Sequence, residues 1–212
     1  MMPRKKELLT DIVLIDIINF SILTTTQQLE IIDFLTRSYK KVIERMLINS
    51  RMQLSTLIQG FVPTGDGFYC ILNPRFKGYG SILGLSFNHF SEQISKKFPY
   101  FHGVRIAVHT GPINEFVDIL GNRNYIGKGM NDCSRLAEFK NFAISTVMVS
   151  ELAYGHLKDF LEYHKDFKEL LIEREFKHSE LYTFRDKHGQ EKRGYHIWLR
   201  KSGIIIPPNI RF

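Results

Sequence analysis

Two isolated acids stand out from the residues around them. Asp16 lies inside the apolar run Ile12 to Ile18, and Asp66 sits in the glycine-flanked turn Pro63-Thr64-Gly65-Asp66-Gly67. Burying a carboxylate is costly unless it meets a cation, and a pair of hard divalent ions would satisfy both. A plainer reading is also open: Asp16 accepts backbone hydrogen bonds at the turn that follows it, and Asp66 shapes a Gly-Asp-Gly hairpin. A second pair, Asn131 and Arg135, is spaced four residues apart, so a helix would put both on one face. The plainer reading pairs Arg135 with Glu138 on a solvated helix surface.

The elements that must position these residues are legible from periodicity. Ile12 to Ile18 reads as a buried strand. Thr24 or Thr26 can cap a long amphipathic helix in which Leu29, Ile32, Leu35, Val42, Ile43 and Met46 recur at helical spacing. Ser55 to Val62 and Gly67 to Leu72 form a hairpin with Asp66 at its tip. Ile82 to Phe98 reads as a helix, and Val104 to His109 as a strand ending at Thr110-Gly111-Pro112. Gly129 to Phe139 is a helix, Ser145 to Val149 a strand, and another helix runs to about Tyr163. Leu181 to Arg185 and Tyr195 to Leu199 make a hairpin with a polar tip from Asp186 to Arg193. This order predicts an α+β fold, an antiparallel-rich sheet with helices packed on one face of it. Pro207-Pro208 marks a loose terminus.

The chain has 212 residues, 43% of them hydrophobic, which suits one domain with a sizeable core. No apolar run reaches the ~18 to 20 residues of a membrane span. The basic Pro3-Arg4-Lys5-Lys6 start is followed by Asp11 and Asp16, which argues against a signal peptide and for a cytoplasmic protein. Cys70 and Cys133 lack metal or redox spacing, so free thiols are expected. The net charge of +7 is scattered and has no nucleic-acid-binding motif beside it; a polyanionic small ligand accounts for it equally well.

Four segments together resemble the motifs of class III adenylyl and guanylyl cyclases, in the order that family shows. Val13-Leu14-Ile15-Asp16-Ile17-Ile18-Asn19-Phe20-Ser21 resembles the first metal strand, and Thr64-Gly65-Asp66-Gly67-Phe68 the second metal hairpin. Val104 to Pro112 resembles the dimer-arm strand, and Gly127 through Asn131 to Arg135 the catalytic helix. The similarity spans roughly residues 11 to 182 and treats 1 to 212 as one catalytic domain, with a C-terminal hairpin and tail from 183, built on a ferredoxin-like sheet.

The resemblance implies roles. Asp16, Asp66 and the Ile17 carbonyl would hold two Mg²⁺ or Mn²⁺ ions per site. Backbone N–H groups from Ile18, Asn19, Phe20 and Ser21, at the start of the long helix, would cradle the β- and γ-phosphates. Asn131 would orient the ribose, and Arg135 would stabilise the α-phosphate in the transition state. Arg174 or Lys177 would grip the triphosphate. In the family the metal aspartates and the Asn/Arg helix come from opposite subunits, which implies a head-to-tail homodimer with two equivalent sites.

The positions that select the base in purine cyclases fall on Val62 and Asn124. Val62 cannot make a polar contact to a purine edge, so neither the adenine nor the guanine pattern is met. With the Asp186-Lys187-His188-Gly189 turn, this departure resembles the pyrimidine cyclases of bacterial Pycsar antiphage systems. That likeness implies UTP as substrate, with CTP the alternative, and a separate effector that binds the cyclic product. An atypical adenylyl cyclase and a catalytically dead nucleotide-binding regulator are the competing readings. Tyr39, on the long helix, either narrows the base pocket or packs the helix surface.

Overall fold

The computed structural model describes residues 7–49, 53–139 and 146–206. Along the chain run β1 (Glu7–Ile17), a short 3-10 turn (Phe20–Ile22), α1 (Thr25–Met46), α2 (Leu54–Leu57), β2 (Ile58–Pro63), β3 (Gly67–Leu72), α3 (Tyr79–Lys97) and β4 (Val104–Val117). These are followed by β5 (Arg123–Ile126), α4 (Lys128–Ala137), β6 (Val147–Ser150), α5 (Glu151–Tyr163), α6 (Lys165–Glu173), β7 (Phe176–His178), β8 (Tyr182–Arg185) and β9 (Glu191–Leu199). The sheet order is β2-β3-β1-β4-β6-β9-β7, with β5 paired to β4 and β8 to β9. Among the described strands only β4 and β6 run parallel, so the sheet is antiparallel-rich as expected.

The two-residue alternation of β1 divides the molecule. Val13, Ile15 and Ile17 point into a core shared with α1, α3 and α5, while Ile12 and Leu14 point into a smaller core under α4. By the same alternation Asp16 belongs to the α4 face. On β4, Ile106 and Val108 join the larger core and Ala107 the smaller one, which puts Arg105 on the α4 face beside Asp16.

The helices are not confined to one face as expected: α1, α3 and α5 cover one side of the sheet and α4 the other, because β1 is apolar on both faces. β4 does not end at Thr110-Gly111-Pro112 but runs on to Val117. Its pairing with β6 stops at Val108, so Pro112 lies where the strand has no neighbour on that side, and a missing N–H costs no ladder bond there. Residues 54–57 are helical rather than extended. β3 ends at Leu72, opposite Ile58, and the chain then turns, so the preceding segment has no strand to pair with and closes local bonds instead. In α1 the buried stripe includes Ile31, while Leu29 is 66% exposed. Thr24 is the cap, in a reciprocal capping box with Gln27. β5, α6 and β7 were not anticipated, and the β8–β9 tip is shorter than expected, covering Asp186 to Gln190. Ser145, Pro207 and Pro208 lie outside the described residues.

α4 is pressed against the sheet at its first turn. A Cβ on Gly129 would come 2.8 Å from the Gly111 carbonyl carbon, and one on Gly111 would come 2.7 Å from Gly129 Cα. Cys133 adds contacts from Sγ to the Ile12 and Ala107 carbonyls, each at 3.5 Å. From the C-terminal hairpin, Lys192 Nζ reaches Asp132 Oδ1 at 2.7 Å. Both cysteines are buried and free.

On the opposite face, buried Asp11 pins the start of α3. Its Oδ2 accepts from the Gly78 and Gly80 N–H groups at 2.8 and 3.1 Å, and its Oδ1 from the Thr110 hydroxyl at 2.6 Å. Asp11→Ala would strand the Gly78 and Gly80 N–H groups in the core and leave the Thr110 hydroxyl only His156 Nδ1, 3.2 Å away, and we expect it to lower stability by about 2 kcal/mol or more. Urea unfolding measures this, and a loss below about 1 kcal/mol would contradict the role given to Asp11.

Candidate active site

The acidic half of the site arises from the register of two strands. Asp16 lies opposite Gly67 on β3 and opposite Arg105 on β4. The β2–β3 turn folds back so that the Asp66 carbonyl accepts from the Ile17 N–H at 2.8 Å, which brings the two carboxylates together. Gly67 is required by this closeness: a Cβ there would collide with the Ile15 carbonyl. Gly65 takes φ +93°, and the Thr64 hydroxyl reaches Asp66 Oδ1 at 3.3 Å.

Electrostatically the pair is strained. Burial lifts the Asp16 carboxyl above its ordinary range; the Arg105 guanidinium, ion-paired to it, pulls it down, and the Asp66 charge pushes it up again. Two adjacent carboxyl groups, with oxygen donors only, suit divalent ions of the Mg²⁺ or Mn²⁺ type. Among the described residues no cluster of three or more His, Cys, Asp or Glu forms a metal group. Any ion here would rest on the two carboxylates and backbone oxygen.

Beyond β1, Asn19 adopts a left-handed conformation (φ 58°) that starts the 3-10 turn. The Ile18 N–H donates to the Gly103 carbonyl at 3.0 Å, so it is engaged within the chain. The proposed amide cradle therefore falls on Asn19, Phe20 and Ser21. It belongs to this turn and not to the start of α1, which has its own cap at Thr24.

The basic half lies on α4. Asn131 is exposed one turn before Arg135. Arg135 Nη1 donates to Glu138 Oε1 at 2.7 Å, and Nη2 lies 3.3 Å from His188 Nε2. Lys187 approaches Glu138 at 3.8 Å. The end of α4 and the β8–β9 tip thus line an open groove carrying Arg135, Arg185 and Lys187 together with Glu138 and Asp186. Among the described residues, no hydrogen bond or ion pair joins Asn131 or Arg135 to Asp16 or Asp66.

Arg174 and Lys177 are not brought to either half. Arg174 closes α6 beside Gly203, and Lys177 lies on β7, the last strand of the sheet. Tyr39 is a core residue. It is 2% exposed, hydrogen-bonded to Ser91 at 2.9 Å, packed on Phe87 and Phe68, and on the face away from Asp16, so it does not shape a base pocket. Val62 packs on the α4-side core, as does Tyr125, whose hydroxyl donates to the Gln59 carbonyl at 3.0 Å and ties β5 to β2; by strand alternation Asn124, next to Tyr125, points to the opposite face of β5. Sequence reasoning missed Tyr69. It pairs with Val62 in register, hydrogen-bonds Ser134 and senses the charges of both Asp16 and Arg135. Its signal was available, since β3 alternation from Phe68 puts it on the Asp16 face.

No protein-family model and no curated protein matches this sequence. Solved structures do. The catalytic core of a rhodopsin-guanylyl cyclase with converted specificity, in complex with ATPαS, superposes with a TM-score of 0.64 at 18% identity, covering 94% of this chain and 100% of the other. The fold is that of a class III nucleotide cyclase catalytic domain. The guanylate cyclase domain from Catenaria anguillulae in complex with GTP matches with a TM-score of 0.59 at 18% identity, over 92% and 100% of the two chains. An adenylate/guanylate cyclase/hydrolase from Silicibacter pomeroyi gives 0.59 at 15% identity, over 93% and 99%. This cyclase fold is the one expected from the four motifs.

A carboxyl whose folded pKa is raised binds more protons in the folded chain than in the unfolded one. The contribution of Asp16 to stability therefore falls as pH rises from the ordinary carboxylate range through the raised value. Without divalent cations, Asp16→Asn should be more stable than wild type at pH 7, by about 0.5 to 2 kcal/mol. The advantage should shrink toward pH 4. Urea unfolding at both pH values checks this, and a less stable Asn variant at pH 7 would refute the strain.

Proposed function

We propose that the chain is a pyrimidine nucleotide cyclase that converts UTP to 3',5'-cyclic UMP and diphosphate in sites shared by two copies. One observation carries the shared site. Arg135 is held by Glu138 and His188 and, among the described residues, makes no hydrogen bond or ion pair to the carboxylate pair of its own chain, which supports a site completed by a second copy. The β4–β5 tip supports self-association, because Ile119 and Leu120 are 99% and 82% exposed there.

Asp16, Asp66 and the Ile17 carbonyl would hold Mg²⁺ or Mn²⁺. When bound, the ions would acidify the ribose 3'-hydroxyl and neutralise phosphate charge. The Asn19, Phe20 and Ser21 amides would hold the terminal phosphates. Arg185 and Lys187, which share a groove with Arg135, suit the triphosphate better than Arg174 or Lys177. Asn131 would orient the ribose while Arg135 stabilises the α-phosphate. The 3'-oxygen then bonds to the α-phosphorus, the bridging bond to the β-phosphate breaks, and diphosphate leaves.

The choice of base rests on Val62 and Asn124. Asn124 Oδ1 accepts from the Tyr125 N–H at 2.8 Å, which engages one lone pair of the oxygen and favours the NH₂ as the group offered to a base. A donor at that position matches O4 of uracil and not the amino group of cytosine. An antiphage role, with a separate effector reading the cyclic product, rests on the resemblance to Pycsar cyclases alone.

With equal UTP, CTP, ATP and GTP plus Mn²⁺, mass spectrometry should find mainly cyclic UMP. Mainly cyclic CMP would overturn the Asn124 argument, and mainly cyclic AMP or GMP the pyrimidine reading. Asp66→Ala should retain under about a tenth of the activity, since lost metal stabilisation amounts to several kcal/mol. Co-expressed Asp16→Ala and Arg135→Ala chains should regain activity in the mixed dimer; isolated heterodimers that remain inactive would rule out shared sites.

A further inference from the structure

On the face of the sheet away from Asp16, α1 and the β2–β3 hairpin do not close on one another. Between them lies a cavity of about 460 Å³, within the ~300 to 1,000 Å³ range of small-molecule pockets. Ile32, Ile43, Leu54, Phe61, Pro63 and Phe68 line it. The gap has a local cause. The register of β2 slips between Ile58 and Gly60, the segment before it coils into α2, and Gly65 and Gly67 present no side chains at the hairpin end. Phe61 is left 45% exposed with its ring toward Phe68.

The polar lining is sparse and of one sign. Thr36 and Tyr39, the latter with its hydroxyl bonded to Ser91, carry the hydroxyls, and Lys40, one turn after Thr36 on α1, is the cation. Lys40 is held only by Glu44 at 3.9 Å, with its side chain 66% exposed, so it is available to another anion. We infer that this cavity binds an anionic amphiphile, a small molecule with an aromatic or acyl body and one acidic group, whose apolar part covers Phe61 and whose acid meets Lys40.

Such a ligand would act on the chemistry through the hairpin. The wall made by Pro63, Gly65 and Gly67 is the same turn that carries Asp66 and docks on the Ile15 and Ile17 backbone. Fixing that turn changes how well the carboxylate pair holds a cation, and by reciprocity a bound cation changes the affinity of the cavity. This coupling rests on the metal reading of Asp16 and Asp66; the cavity itself does not.

The probe is 1-anilinonaphthalene-8-sulfonate, an aromatic body with one sulfonate. Its fluorescence should titrate to one site per chain. Thr36→Trp, at an exposed helix position, should fill the mouth and weaken binding at least tenfold, and Lys40→Glu should weaken it about fivefold while the far-ultraviolet circular dichroism stays unchanged. Mn²⁺ affinity, read by electron paramagnetic resonance, should shift at least twofold when the probe saturates. Non-saturable binding, or binding untouched by both variants, overturns the site. A Thr36→Trp chain that turns monomeric in sedimentation gives the cavity to a second copy and also overturns it. An unmoved Mn²⁺ affinity overturns the coupling. Absence of Mn²⁺ binding in any state defeats the coupling together with the metal reading, whereas loss of the probe site alone leaves the cyclase reading standing.

Discussion

Asp16 and Asp66 repel each other, and the backbone around them gives neither room to move away. Gly67 lies against the Ile15 carbonyl, and the Asp66 carbonyl is bonded to the Ile17 N–H. The turn therefore cannot swing out without losing the end of the β1–β3 ladder. Arg105 meets part of the demand from β4, yet burial and Asp66 together still leave Asp16 with its proton affinity raised. Stability given up at such a point is compensated by the packing of Val13, Ile15 and Ile17 beneath α1 and α3. A strand buried on both faces is rigid enough to hold two like charges together, and that rigidity is what a cation site needs.

The same alternation explains what was legible in the sequence. A carboxylate in an apolar strand and another in a Gly-Asp-Gly turn are visible without coordinates, because burying charge is costly wherever it happens. The long helix, the β2–β3 hairpin and α4 were legible because each carries an apolar stripe of the right period. Tyr39 shows the limit. An aromatic on a long amphipathic helix can face the core or a ligand, and only the placement of α1 on the side of Val13 and Ile15 decides between them.

Long-range pairing hid the rest. β7 is three residues long and exists because β9 offers it an edge, so nothing local marks it as a strand. That edge also carries Lys177 away from the site, while the β8–β9 tip brings Arg185 and Lys187 next to Arg135. Cations are common in this chain, and their sequence distance from the last motif says little about which of them the sheet returns to the groove. Residue 112 misled for a related reason. A proline ends a strand that is paired on both sides, but β4 has already lost β6 by that point.

The arrangement of α4 suits a site that is at rest until it is completed. Arg135 is not free in the single chain; Glu138 takes one nitrogen and His188 lies against the other. Glu138 is 41% exposed, and a pair of this kind contributes only about 0 to 1 kcal/mol. It can orient the guanidinium but cannot hold it against a polyphosphate, whose several charges would meet Arg135, Arg185 and Lys187 together. Meanwhile Asp132, one residue after Asn131, is tied by the largely buried Lys192 to β9, so the helix itself has no such freedom. The backbone of α4 is thus fixed by Gly129, Cys133 and Asp132, while the Arg135 side chain is held only by weak, partly exposed contacts.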